Sequence, residues 1–176
     1  MYEALVVMDF DVKPQPALAK DWEQEDETTY RFDLREGVTF HNGEEMTAED
    51  VRHSIERTSG SVNGATVDVW YDSAEVVDDY TIRINLTQPH APMMSDISAV
   101  YIVPASATNT NPKEESHDFR SESLGTGPFT LSEVEPDNRV VVERNEDYWF
   151  EGTETMPGKA PWQSVTFRVV TEQATQ

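Results

Sequence analysis

Between Tyr30 and Arg35 the chain alternates strictly, and this limits the folds open to it more than any other feature. Tyr30, Phe32 and Leu34 share one face of an extended segment, and Arg31, Asp33 and Arg35 share the other. That is the period of a strand with one buried and one solvated face. Gly37 interrupts the pattern and Val38 and Phe40 resume it. His41-Asn42-Gly43 holds an Asn-Gly pair, whose residues both tolerate positive φ and so favour a turn. The alternation returns in Ala74–Val77 and Thr81–Leu86, joined by a turn at Asp78-Asp79, with Ile82, Ile84 and Leu86 on one face. A second hairpin is expected from Phe129 to Val134 and from Val140 to Glu143, turning at Pro136-Asp137-Asn138. A last strand is expected over Val165–Val170.

One helix is well marked. Thr47 reads as its N-cap, with Glu49 and Asp50 in the first turn, where the helix dipole favours acids. Asp50 stands where a capping box usually has Glu. Val51 and Ile55 follow at helical spacing, and Ser59-Gly60-Ser61 ends the helix. A shorter helix is expected from Met93 to Ala99. Tyr101-Ile102-Val103 is an apolar run closed by Pro104, and Thr108–Ser123 reads as a surface loop or weak helix. Together these elements make an α+β chain of one domain, or one domain and part of a second, in 176 residues.

Charge narrows the partners. The chain carries 34 Asp and Glu against 13 Lys and Arg, a formal net charge of −21. Such a surface repels phosphate backbones and anionic membranes, so nucleic acid is not an expected partner. The acids are spread along the whole chain, which suggests a protein adapted to concentrated salt, where counterions screen the self-repulsion. There is no cysteine, which excludes disulfides and cysteine-ligated metals. No apolar run reaches a transmembrane length and no signal segment opens the chain.

Two sets of blocks are more specific. Leu18-Ala19-Lys20-Asp21-Trp22 is followed by Tyr30-Arg31-Phe32-Asp33-Leu34-Arg35-Glu36-Gly37-Val38-Thr39-Phe40-His41-Asn42-Gly43, then Thr47-Ala48-Glu49-Asp50-Val51. Gly125-Thr126-Gly127-Pro128-Phe129 is followed by Arg144-Asn145-Glu146-Asp147-Tyr148-Trp149. In this order, and with Tyr2-Glu3-Ala4-Leu5-Val6 ahead of them, they resemble family 5 of the extracellular solute-binding proteins, which includes dipeptide-, oligopeptide- and nickel-binding proteins. The resemblance implies a β-rich small subdomain plus part of a large lobe of a type II periplasmic-binding-protein-like fold. It also implies that the chain is a fragment: residues 1–17 would be a large-lobe edge and crossover, 18–124 the small subdomain, and 125–176 the return into the large lobe, with the second lobe absent. The implied function is binding of a solute, a peptide by default, for an ABC importer. The lobes would close on the ligand, outside the cytoplasm, at the cell surface or in the periplasm. The protein would be a monomer that meets permease subunits and needs no cofactor.

The chemistry of the residues fits binding better than catalysis. Gly125-Thr126-Gly127-Pro128 lacks the Gly-Lys-Ser/Thr ending of a phosphate loop and leads into a strand, so it reads as a tight chain crossing. His41, His53, His90 and His117 are scattered without metal-ligand spacing, so no metal is expected. Asp9-Phe10-Asp11 is too short for a calcium loop. A secreted hydrolase would need a nucleophile with its base or two fixed carboxylates, and no signature for either is present. A structural cell-surface β-domain would account for the acidity and the strands but not for the ordered blocks. Trp22, Tyr148 and Trp149 read as core or interface aromatics. Trp70 and Tyr71 are the candidate ligand-facing pair. They precede the first hairpin in a connection that, in the resembling family, leads toward the cleft. The competing reading is that Trp70 packs beneath the hairpin.

Overall fold

The computed structural model describes residues 1–59, 61, 64–108, 122–152 and 158–170. The expected strand is β4, Thr29–Leu34, and it lies inside a four-stranded antiparallel sheet with β3 (Ala19–Gln24), β5 (Tyr71–Asp78) and β6 (Thr81–Leu86) in the order β3-β4-β6-β5. Alternation sorts its two faces. Phe32, Leu34, Ile82 and Ile84 are completely buried on one side. On the other, Glu23, Arg31, Arg83 and Glu75 form a cross-strand row. The Glu25 carboxylate lies between the two guanidiniums, 2.8 Å from Arg83 Nε and 3.6 Å from Arg31 Nε. All these groups are partly exposed, so the row keeps the arginines neutralised more than it adds stability.

The apolar face is covered by α1, Ala48–Ser59, which contributes Val51 and Ile55, and by α3, Met93–Ile97. Thr47 precedes α1 as expected, and Asp50 supplies one half of the box, its carboxylate reaching back to the Thr47 N–H. The Thr47 N–H donates to Asp50 Oδ2 at 2.8 Å, with the Thr47 hydroxyl at 3.1 Å from the same oxygen. Asp50 Oδ1 accepts the Ala105 N–H at 2.9 Å. Ser54 Oγ accepts the Val103 N–H at 2.9 Å. The two side chains thus anchor the helix to the extended Ile102–Ala105 segment. A short α2, Ala65–Asp68, precedes Trp70.

Gly37 and Gly43 adopt φ of +72° and +86°, values that a side chain would make strained. Gly43 follows Asn42 in the expected turn, closed by its N–H on the Phe40 carbonyl at 2.9 Å. The second hairpin is β7 (Phe129–Glu135) with β8 (Arg139–Arg144), and β9 (Ser164–Arg168) adds a third antiparallel strand. β9 is shorter than the expected 165–170, and α3 is shorter than 93–99. Of the expected loop at 108–123, all but Thr108, Glu122 and Ser123 lie outside the described residues, as does His117. An N-terminal hairpin, β1 (Val6–Met8) with β2 (Pro14–Pro16), has no counterpart in the sequence reading. Its turn is built on Asp9, whose Oδ1 accepts the N–H groups of Asp11 and Lys13, and Val12 sits at φ +60°.

Candidate functional site

Three segments far apart in sequence meet along one seam. Residues Met1–Ala4 run between the extended Tyr101–Ile102 segment and the Gly-Thr-Gly-Pro block. The Ile102 N–H donates to the Glu3 carbonyl at 2.9 Å, and the Gly127 N–H donates to the Met1 carbonyl at 2.9 Å. A Cβ at Gly125 would collide with the Met1 carbonyl oxygen, and one at Gly127 would lie 2.7 Å from it. These two glycines are therefore set by backbone contact, which makes the block the tight crossing that its sequence suggests.

Glu3 holds the seam together. Its Oε1 accepts the Tyr148 hydroxyl proton at 2.7 Å, and its Oε2 accepts from Trp149 Nε1 at 2.9 Å and from Thr126 Oγ1 at 2.8 Å. Burial, and then this bond to a carboxylate, push the Tyr148 phenol well above its usual range. The Trp149 ring carries the Arg35 guanidinium 5.3 Å from its centroid, and Arg35 Nε donates to the Ala17 carbonyl at 2.7 Å. His41 closes the other end, with Nδ1 2.8 Å from Ser123 Oγ and Nε2 2.9 Å from the Gly127 carbonyl. Since a carbonyl only accepts, Nε2 carries the proton and Nδ1 accepts from the serine. Burial holds the His41 pKa below its ordinary 6.5.

Beside the seam opens a cavity of about 370 Å³, lined by Tyr2, Tyr101, Tyr148, Trp149 and Phe150 together with Val6, Val7 and Pro16. Tyr148, Trp149 and Phe150 pack in tilted and edge-to-face pairs with centroids 5.3–6.4 Å apart. An apolar aromatic wall with few polar groups suits non-covalent binding. Among the described residues no group of His, Asp and Glu is arranged to hold a metal ion.

Trp70 and Tyr71 lie elsewhere, and neither lines this cavity. Trp70 is completely buried, stacked on His90 with centroids 6.5 Å apart and met edge-on by Tyr71 at 6.0 Å. Its indole N–H is buried without a hydrogen-bond partner. Tyr71 is half-exposed, and its pKa is pushed up to about 12 by burial and by the charge of Glu56, so its hydroxyl stays protonated as a donor. The sequence reading took Tyr148 and Trp149 as core or interface aromatics but did not single out Glu3. An acid set directly before the apolar run Ala4-Leu5-Val6 was the available signal.

Comparison with known proteins gives consistent matches over this whole architecture. Residues 13–176 match the family described as bacterial extracellular solute-binding proteins, family 5 Middle. The dipeptide-binding protein DppE of Bacillus subtilis is 28% identical over 94% of this chain and 34% of its own length. NikA from Brucella suis, solved in complex with Fe(III)-EDTA, has 29% identity and a TM-score of 0.77 over 97% of this chain and 34% of that one. DppA from Helicobacter pylori, solved with the peptide STSA, has 27% identity and a TM-score of 0.77 over 97% of this chain and 37% of that one. The chain therefore spans about a third of the length of the relatives it matches.

Proposed function

The chain belongs to the family 5 extracellular solute-binding proteins, and from that premise we propose that it serves an ABC importer by binding a peptide between closing lobes, without covalent chemistry. The observation that carries this reading is the Glu3 seam. It ties the packed unit around the four-stranded sheet, whose core also takes in Leu5 and Val6, to an aromatic wall left open beside it, which supports reading the chain as part of a clamshell. In this proposal residues 1–17 are the edge of a larger lobe, 18–124 the small subdomain, and 125–176 the return into that lobe. Ligand contacts to both lobes would bias the hinge toward closure. The protein would work outside the cytoplasm as a monomer, docking on permease subunits. None of the described helices is long and apolar enough to cross a membrane.

One lobe wall buries too little ligand to bind it tightly. Calorimetry with a dipeptide such as Ala-Phe should therefore detect no micromolar binding to residues 1–176 alone. The same chain within the whole clamshell should bind. Tight binding to the 176 residues alone would sink the partition.

Trp70 and Tyr71 are proposed as the small-subdomain contribution to the cleft. The unpartnered indole N–H of Trp70 and the incompletely buried ring of Tyr71 beside it support this. Trp70→Ala should weaken dipeptide binding by about a kcal/mol or more. Unaltered affinity in the folded mutant would assign Trp70 to the core alone. We also propose adaptation to concentrated salt, from the net charge of −21. The thermal midpoint should climb from low to molar KCl as screening shortens to about 3 Å. A flat midpoint would remove that reading.

A further inference from the structure

We infer that Glu3 is the positioning residue of the seam: its carboxylate fixes the Tyr148–Trp149 wall and the Thr126 crossing, and through Trp149 and Arg35 it sets how the four-stranded unit sits against them. The inference rests on the binding reading above, in which that placement presents the ligand-facing surface.

The contacts have an unusual composition. Among the described residues the Glu3 carboxylate forms no ion pair, and its three side-chain partners are neutral donors from two distant parts of the chain. A carboxylate offers only acceptors, and here it takes two protons on Oε2 and one on Oε1. The arrangement favours a carboxylate. A Gln at position 3 could keep its oxygen for Trp149 and Thr126, but as a neutral and weaker acceptor, and its NH₂ would have to donate to the Tyr148 hydroxyl, which reverses that bond. The network also reaches further than its own members. Trp149 receives Arg35 on its ring, and Arg35 in turn holds the Ala17 carbonyl. Arg35 follows directly on β4 and Ala17 lies just before β3. The Arg35 N–H also donates to the Leu18 carbonyl at 3.0 Å. The chain of contacts therefore runs from Glu3 to the ends of two strands of the four-stranded sheet. Thr126 adds the return segment, which is held to the sheet's loop by the His41 N–H on the Gly125 carbonyl at 2.9 Å. Glu3 is thus the side chain that meets both the Tyr148–Trp149 wall and the Thr126 crossing directly.

The test is Glu3→Gln, which keeps size and removes charge. In the ¹⁵N-labelled chain, the Trp149 indole resonance, assigned through Trp149→Phe, should move upfield. The Tyr148 phenol should titrate at lower pH than in the unmodified chain. Within the whole clamshell, affinity for Ala-Phe should fall on the order of tenfold, as for couplings transmitted between sites. Should Glu3→Gln fail to fold, Thr126→Val and Tyr148→Phe each remove one donor, and each should shift the same indole resonance and lower affinity by less. The proposal is overturned if the indole and phenol signals stay in place in a folded variant. It is equally overturned if both move while affinity stays within twofold. An unmodified clamshell that binds no dipeptide overturns the binding reading alone, and the spectroscopic shifts then decide the positioning role.

Discussion

The two larger sheets of this molecule are both built from antiparallel hairpins and end in opposite conditions. In the four-stranded sheet, Phe32, Leu34, Ile82 and Ile84 are sealed beneath α1 and α3. In the three-stranded sheet only Val142 is buried, and Phe167 is 60% exposed. The difference lies in the covering layer and not in strand propensity. Helices cover the first sheet, whereas the second has no helix over it among the described residues. The first sheet therefore holds the larger share of the described core, and the second adds little to it.

Four measurements break or sharpen that contrast. Phe32→Ala should destabilise the chain by about 3–5 kcal/mol in urea unfolding, because it empties a closed core. A loss below about 1 kcal/mol would show that the first sheet is not the stabilising unit. Asp50→Ala should cost about 1–2 kcal/mol, since it leaves the partly buried N–H groups of Thr47 and Ala105 without their acceptor. A neutral result would mean that α1 does not depend on this cap.

A smaller effect belongs to His41 and appears only in acid. Burial depresses its folded pKa below 6.5, so the unfolded chain binds the proton more readily. Its contribution is whole above about 6.5 and is lost as pH falls through the folded value. His41→Gln should flatten that limb of the stability profile, and an unchanged limb would remove His41 as its source. The smallest effect is expected for Phe167→Ser. On an exposed strand face it should change unfolding stability by less than about 0.5 kcal/mol. A large loss would mean that the three-stranded sheet already has a core of its own.

The sequence disclosed the first sheet well because its alternation is one-sided. Once Phe32 and Leu34 face inward, Arg31 and Asp33 must face water. Thr47 and Asp50 were equally legible, since a cap is local chemistry. β3 was harder, because Ala19-Lys20-Asp21-Trp22-Glu23-Gln24 has little alternation and is ordered by its neighbour β4. The N-terminal hairpin was missed for a different reason. Its turn places Val12 at φ +60°, a conformation that a β-branched residue rarely takes, so no turn signal is written there. The site was the least visible part. Thr126, Tyr148 and Trp149 belong together only because Glu3 reaches them across more than a hundred residues, and no local pattern records such a contact. The exposed Trp70–Tyr71 pair pictured from the sequence is, within this chain, a buried indole with a half-exposed phenol beside it. What sequence cannot convey there is the His90 ring, which arrives from a later loop to cover the tryptophan.

The separation between Glu3 and its partners has a consequence for the order in which the chain is made. The four-stranded sheet and its helices are complete once residue 97 has emerged, and they can collapse from contacts already present. Glu3 must wait for Tyr148 and Trp149, which follow it by 145 and 146 residues. At synthesis rates of roughly 5–20 residues per second, that is a delay on the order of 10–30 s. Through that interval Leu5 and Val6 can already enter the core beside the four-stranded sheet, while the Glu3 carboxylate has none of its three side-chain donors to meet. The four-stranded unit can thus mature early, and the seam is a later closure that joins Glu3 to residues made long after it.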